Sequence, residues 1–140
     1  MMQRVLLDTG PIVAYLSKRD QYHDWAVTEW EQIEPPMITC ESVLSEACFL
    51  LETHGGSPDW ALELVERGVV AVRFSLTSHL VRVRSLLKKY RSVPMSLADG
   101  CLVRMSELHP RHSVLTTDSD FRLYRREGRR VIPTRMPGDL

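Results

Sequence analysis

Arg4-Val5-Leu6-Leu7-Asp8-Thr9-Gly10-Pro11, near the start of the 140-residue chain, decides the fold. Val5, Leu6 and Leu7 are too continuous an apolar run for a strand with one face in water, where apolar and polar residues alternate. The run ends abruptly in a carboxylate. Gly10 then favours a turn, and Pro11 suits the first position of a helix, because the N–H it lacks would have no partner there. The stretch therefore reads as a buried strand, a sharp exit and a helix. Open α/β sheets bind ligands beyond the carboxyl ends of their strands, which makes Asp8 the first candidate for a functional site.

Composition allows such a sheet to close on itself. With 44% hydrophobic residues, the chain suits one domain, residues 1–140, able to bury most of its apolar surface without staples. Charged residues make up 26% and the formal net charge is zero, which excludes both a disordered chain and a strongly basic nucleic-acid binder. The zero conceals a division. Between Asp20 and Glu66 lie 11 acidic residues and no Lys or Arg, whereas Arg67 to Arg135 holds 15 basic and 5 acidic ones. The basic flank could receive phosphate, although solvated helix faces that differ only in sign leave the same pattern.

Cys40, Cys48 and Cys101 are odd in number, widely spaced and without a C-x-x-C pair, which argues against a disulfide framework or a structural zinc site. The expectation is small buried thiols in a reducing compartment. Asp8 and Gly10-Pro11 interrupt the N-terminal apolar run, so it is no signal-peptide core. No apolar stretch approaches the ~20 residues that span a bilayer. A soluble cytoplasmic protein with no membrane partner is expected.

Downstream, helices are expected over Pro11–Ser17, Tyr22–Ile33 and Glu41–His54, with a strand at Met37–Cys40 between the second and third. Pro58 opens a fourth helix, which ends near Gly68. Val69–Phe74 reads as a strand, Thr77–Tyr90 and Ser96–Leu108 as helices, Ser113–Thr117 as a strand, Asp118–Arg126 as a short helix and Arg130–Pro133 as a last strand. Strands alternating with helices imply parallel pairing through right-handed crossovers. The fold class is α/β: a three-layer α/β/α sandwich around a mostly parallel sheet of about five strands.

Four acids stand out on this framework, each with a local role as well. Asp8 precedes a helix and could cap it. Glu46 suits an exposed helix surface, yet Val43, Leu44, Ala47, Leu50 and Leu51 place it beside the core-facing stripe, half-buried. Ser96-Leu97-Ala98-Asp99 fits a capping box, which also holds the acid at the positive end of the helix dipole. Thr117 and Asp120 make a second capping box, leaving Asp118 to face the mouth of the sheet. Asp8 and Asp118 end strands; Glu46 and Asp99 lie within about two turns of helix starts. Converging on one edge, they would repel one another unless a cation compensated. Oxygen donors with no His or Cys among them suit a hard ion, Mg²⁺ or Mn²⁺, which can activate water and neutralise charge on a phosphodiester.

Taken in order, Leu6-Leu7-Asp8-Thr9-Gly10-Pro11, Ser45-Glu46-Ala47, Met95-Ser96-Leu97-Ala98-Asp99 and Leu115-Thr116-Thr117-Asp118-Ser119-Asp120-Phe121 resemble the four acidic motifs of PIN-domain proteins, with the spacing of the VapC-like toxin branch. The resemblance covers nearly the whole chain. It implies a PIN-like fold and a Mg²⁺- or Mn²⁺-dependent endoribonuclease, usually a homodimer, restrained by a cognate antitoxin. By motif matching, Asp8, Glu46, Asp99 and Asp118 would be the catalytic metal-site acids and Asp120 a further ligand, with Thr9 and Thr117 supporting them. Gly100 departs from the alanine usual after the third acid, which costs helix propensity up to ~1 kcal/mol and leaves the acid in place.

Arg122 is the first candidate for contact with RNA, because it is nearest in sequence to Asp118 and Asp120. Trp25 and Trp30 make an aromatic stripe that suits core packing or, alternatively, a dimer or antitoxin surface. Two rival classes remain: a non-catalytic PIN-like RNA- or protein-binding module with a vestigial acidic pocket, and a phosphatase or phosphoacceptor domain with Asp8 phosphorylated. The second lacks its partners, since position 10 is Gly10 and no lysine follows Lys89.

Overall fold

The computed structural model describes residues 2–140. Five parallel strands form one sheet in the order β3-β2-β1-β4-β7: β3 is Val70–Val72, β2 Met37–Thr39, β1 Val5–Leu7, β4 Ser113–Leu115 and β7 Thr134–Arg135. All three residues of β1 are fully buried, as a central parallel strand covered on both faces requires. Leu6 pairs with Ile38 on one side and Val114 on the other. The chain winds outward from β1 to β3 and then returns to place β4 beside β1. The sheet's topological switch point therefore lies between β1 and β4, where ligand crevices of open α/β sheets form.

Each of the first three crossovers carries a helix pair: α1 (Thr9–Leu16) and α2 (His23–Trp30), α3 (Glu41–Thr53) and α4 (Asp59–Glu66), α5 (Leu80–Lys89) and α6 (Leu97–Leu108). The sheet flanked by these six helices is the expected α/β/α sandwich. Apolar side chains facing the sheet, among them Ile12, Val43, Leu86, Leu102 and Phe121, make one core with the strands. Trp30 belongs to it, stacked on Tyr15 with ring centroids 3.9 Å apart, so packing is the role the structure gives it. No helix among the described residues is long and apolar enough to cross a membrane.

Several boundaries differ from those read in the sequence. The helix expected from Pro11 begins at Thr9 with Asp8 as its N-cap, so Gly10 lies inside α1 and not in a turn. A Cβ at Gly10 would overlap Thr117 Oγ1; glycine is what lets α1 meet the exit of β4. The helix expected over Tyr22–Ile33 is confined to His23–Trp30, and that over Thr77–Tyr90 opens with a 3₁₀ turn, Thr77–His79. The larger corrections come late in the chain. The helix expected over Asp118–Arg126 closes after one 3₁₀ turn, Ser119–Arg122. Arg125–Arg126 (β5) and Arg130–Val131 (β6) then pair antiparallel across a turn in which Glu127 and Gly128 take positive φ. The strand expected over Arg130–Pro133 is thus half hairpin, and the sheet gains Thr134–Arg135 instead.

This hairpin is tied to the end of α6. Glu107, with a side chain 5% exposed, accepts from Arg82 Nε and Nη2 at 3.0 and 2.7 Å, from Arg104 Nη1 at 3.1 Å and from the backbone N–H of Glu127. Burial alone would raise its carboxyl, but Arg82, the Glu127 amide and Arg104 hold it down at about 2, against an ordinary 4.5. A depressed carboxyl stabilises fully above its unfolded value, and that contribution disappears as pH falls toward the folded one. Glu107→Gln is expected to cost about 2 kcal/mol at neutral pH. Urea unfolding of variant and parent should converge between pH 4.5 and 2.

Candidate metal centre

Asp8 stands just past β1, 5% exposed, and is fixed three ways. Its backbone N–H donates to Leu115 O at 3.0 Å, which continues the β1–β4 pairing. One carboxylate oxygen, Oδ1, accepts from the Thr9 amide at 2.8 Å, and Oδ2 accepts from Thr116 Oγ1 at 2.6 Å. Thr116 Oγ1 also accepts from the Asp118 amide at 2.9 Å, so one hydroxyl ties the first acid to the last. Thr9 makes a similar link on the other side, donating its hydroxyl to Glu46 Oε2 at 3.1 Å. Glu46 itself is exposed and not half-buried, one turn before the exposed Phe49 on α3.

Asp99 occupies the first turn of α6, 8% exposed, with its amide capped by Ser96 Oγ at 3.1 Å. Its Oδ2 accepts from the hydroxyl of the fully buried Tyr124 at 2.9 Å. Asp118 caps the 3₁₀ turn, its Oδ1 accepting from the Asp120 amide at 2.9 Å. The cap is therefore Asp118 and not Thr117. Among the described residues Thr117 has no side-chain hydrogen-bond partner, and it packs against Gly10.

Electrostatics join these groups. Burial, helped by the negative charges of Asp99 and Asp118, raises Asp8 to about 7 despite the bonds from Thr116 and Thr9. Asp99 is also raised, first by burial and then by Asp118, against the bond from Tyr124. Asp120 is raised by desolvation and by Asp118. Burial and the hydrogen bond to Asp99 push the Tyr124 phenol up, which keeps it a donor. None of Asp8, Glu46, Asp99, Asp118 and Asp120 pairs with Lys or Arg among the described residues. Nor do three His, Cys, Asp or Glu side chains among those residues close around a single point as ligands would. The acids share an edge and a field without meeting. Their chemistry, hard oxygens with no basic counterion, fits a divalent ion such as Mg²⁺ or Mn²⁺.

Two groups at this edge, Thr116 as the bridging hydroxyl and Tyr124 as the phenol on Asp99, were not singled out in the sequence. Thr116 lies opposite Asp8 only because Leu7 pairs with Leu115, and strand adjacency is not written in either segment. Tyr124 left a fainter signal: an aromatic residue with a polar tip inside an arginine-rich stretch, which must find a partner when buried.

A parallel α/β/α sandwich that gathers acids at its switch point offers them where open α/β sheets take ligands. The family model for the PIN domain matches residues 5–127, and the chain belongs to that family. Members are generally nucleases, hydrolases that usually use Mg²⁺ or Mn²⁺. No curated protein matches the chain.

The raised Asp8 has a measurable consequence. A carboxyl whose folded value lies above its unfolded 3.8 contributes stability at low pH that is lost as pH rises through about 7. In chelator, Asp8→Asn should melt higher than the parent at pH 8. The gap should shrink on acidification to pH 5 and vanish near pH 4.

Proposed function

We propose that this PIN-domain chain is a Mg²⁺- or Mn²⁺-dependent endoribonuclease, the toxin of a toxin–antitoxin pair. The observation that carries the reading is the set of carboxylates at the switch point, two of them buried, with no Lys or Arg to neutralise them. Such a set is costly for a fold to keep unless a cation compensates. Asp8, Glu46, Asp99 and Asp118 would hold the ion, with Asp120 as a further ligand. When bound, the ion supplies activation of water and neutralisation of charge on the phosphodiester.

The chain's own residues prepare that chemistry. Thr9 and Thr116 fix both oxygens of Asp8, Thr9 also holds Glu46, and Tyr124 orients Asp99. Thr117 supports the site through its contact with Gly10. Arg122, exposed two residues after Asp120, would be the cation to meet a substrate phosphate. A single domain over residues 1–140, a homodimer and an antitoxin complete the reading. Phe49 and Val81, 68% and 84% exposed, supply apolar surface for a protein partner. The three free thiols agree with a cytoplasmic location.

One observation favours a second reading, a PIN-like binding module that no longer catalyses: the acids do not close around one point. Titration with Mn²⁺ separates the two, since the module would bind RNA and cut none at any metal concentration. For the nuclease, Asp8→Asn and Asp99→Asn should each lower metal-dependent cleavage of RNA at least about 100-fold. Circular dichroism should remain that of the parent, and chelator should abolish the parent's activity. Cleavage retained in both variants removes the proposed site.

A further inference from the structure

The basic half of the chain is not neutralised uniformly. Arg82, Arg104 and Arg130 are matched by carboxylates, and Lys89, Arg125 and Arg126 donate to backbone carbonyls. Arg84, Lys88, Arg91 and Arg129 are exposed and have no carboxylate partner among the described residues. Arg84 and Lys88 stand one turn apart, with a rise of about 6 Å between them, on the face of α5 opposite the buried Val83 and Leu86. Arg91 follows just past the helix end. Arg129 sits at the tip of the β5–β6 hairpin, which Lys89 Nζ holds against α5 by donating to Gly128 O at 3.1 Å.

This flank is continuous with the acidic edge. Tyr90, at the end of α5, accepts from the Arg125 amide at 2.9 Å and packs edge-on against Tyr124, whose hydroxyl reaches Asp99. Free cations thus begin where the acids end. Asp8 and Asp99 are recessed at 5% and 8% exposure, a depth that a splayed single strand reaches more easily than a stacked duplex.

We propose that a single RNA strand leaving the acidic mouth runs along this flank, its phosphates met by Arg84, Lys88 and Arg91 on α5 and by Arg129 on the hairpin. The proposal rests on the nuclease reading for its substrate and adds where that substrate lies. Arg122 marks the near end of the path, while the matched arginines maintain the fold.

The test is equilibrium binding of a short fluorescent single-stranded RNA to the full chain in chelator, followed by anisotropy across a salt series. The triple variant Arg84→Gln, Lys88→Gln, Arg91→Gln should bind at least about tenfold more weakly. Its slope of log affinity against log salt should fall by about 2, at ~0.7 for each phosphate of a single strand that is no longer neutralised. The triple variant Lys18→Gln, Arg19→Gln, Arg73→Gln removes the same charge from exposed positions elsewhere and should bind nearly as the parent. Equal losses in both triples, or none in the first, overturn the proposal. So does a duplex bound as tightly as the single strand, or stripe-dependent polyglutamate binding of equal strength, which would reassign the flank to an acidic protein. If the stripe variant loses RNA and the parent never cuts with Mn²⁺, the flank stands and the nuclease reading fails. Cutting by the parent with RNA binding unchanged in the stripe variant removes the flank alone.

Discussion

The carboxylate of Asp8 is held at the boundary between β1 and β4, and the rest of the acidic edge is arranged through it. Its amide extends the strand pairing, its oxygens receive the Thr9 amide and the Thr116 hydroxyl, and these two threonines pass the connection on to Glu46 and Asp118. The geometry exists because β4 returns to lie beside β1, bringing residues 108 positions apart within hydrogen-bond distance. Burial opposes ionisation there and two hydrogen bonds favour it; burial prevails. A group left in that balance stays responsive to any positive charge brought to the edge.

Helix α6 shows the same side-chain chemistry put to opposite uses at its two ends. In its first turn Asp99 has the helix dipole and one tyrosine hydroxyl, no guanidinium, and a raised carboxyl. In its last turn Glu107 has two guanidinium groups and a backbone amide, and its carboxyl is firmly ionised. Arginines are available to both ends from the neighbouring α5 and hairpin, yet only the distal acid receives them. Environment separates a firmly ionised anion from one that no cation of the chain neutralises.

How much of this was legible beforehand depended on whether the signal was local. The buried strand at Val5–Leu7, the helix pairs and the capping of Asp99 by Ser96 were readable, because periodicity and caps act within a few residues. The end of the chain was not. Arginine-rich residues 122–130 carry no apolar period, and the hairpin forms there because Glu107 and Tyr90, distant in sequence, take up its backbone amides. Glu46 was read as half-buried from its apolar neighbours, but it is exposed on α3, with one oxygen within reach of the Thr9 hydroxyl on α1. The edge shared by the acids followed from strand-end positions; the roles of Thr116 and Tyr124 required knowing which strands and rings touch.

The hairpin's first limb runs the length of α6 as a strap buckled at two points. Tyr124 fastens it to Asp99 and the Glu127 amide fastens it to Glu107. Eight residues of helix advance about 12 Å, and three residues of extended chain cover about 10 Å, so helix and strap are matched in length. Losing one residue between the buckles would leave the phenol or the amide short of its anchor, whereas extra residues beyond Gly128 would only enlarge a free loop. Evolution can therefore lengthen this protein at the hairpin tip and leave the acidic edge undisturbed, but the four residues leading to that tip are held to a fixed count.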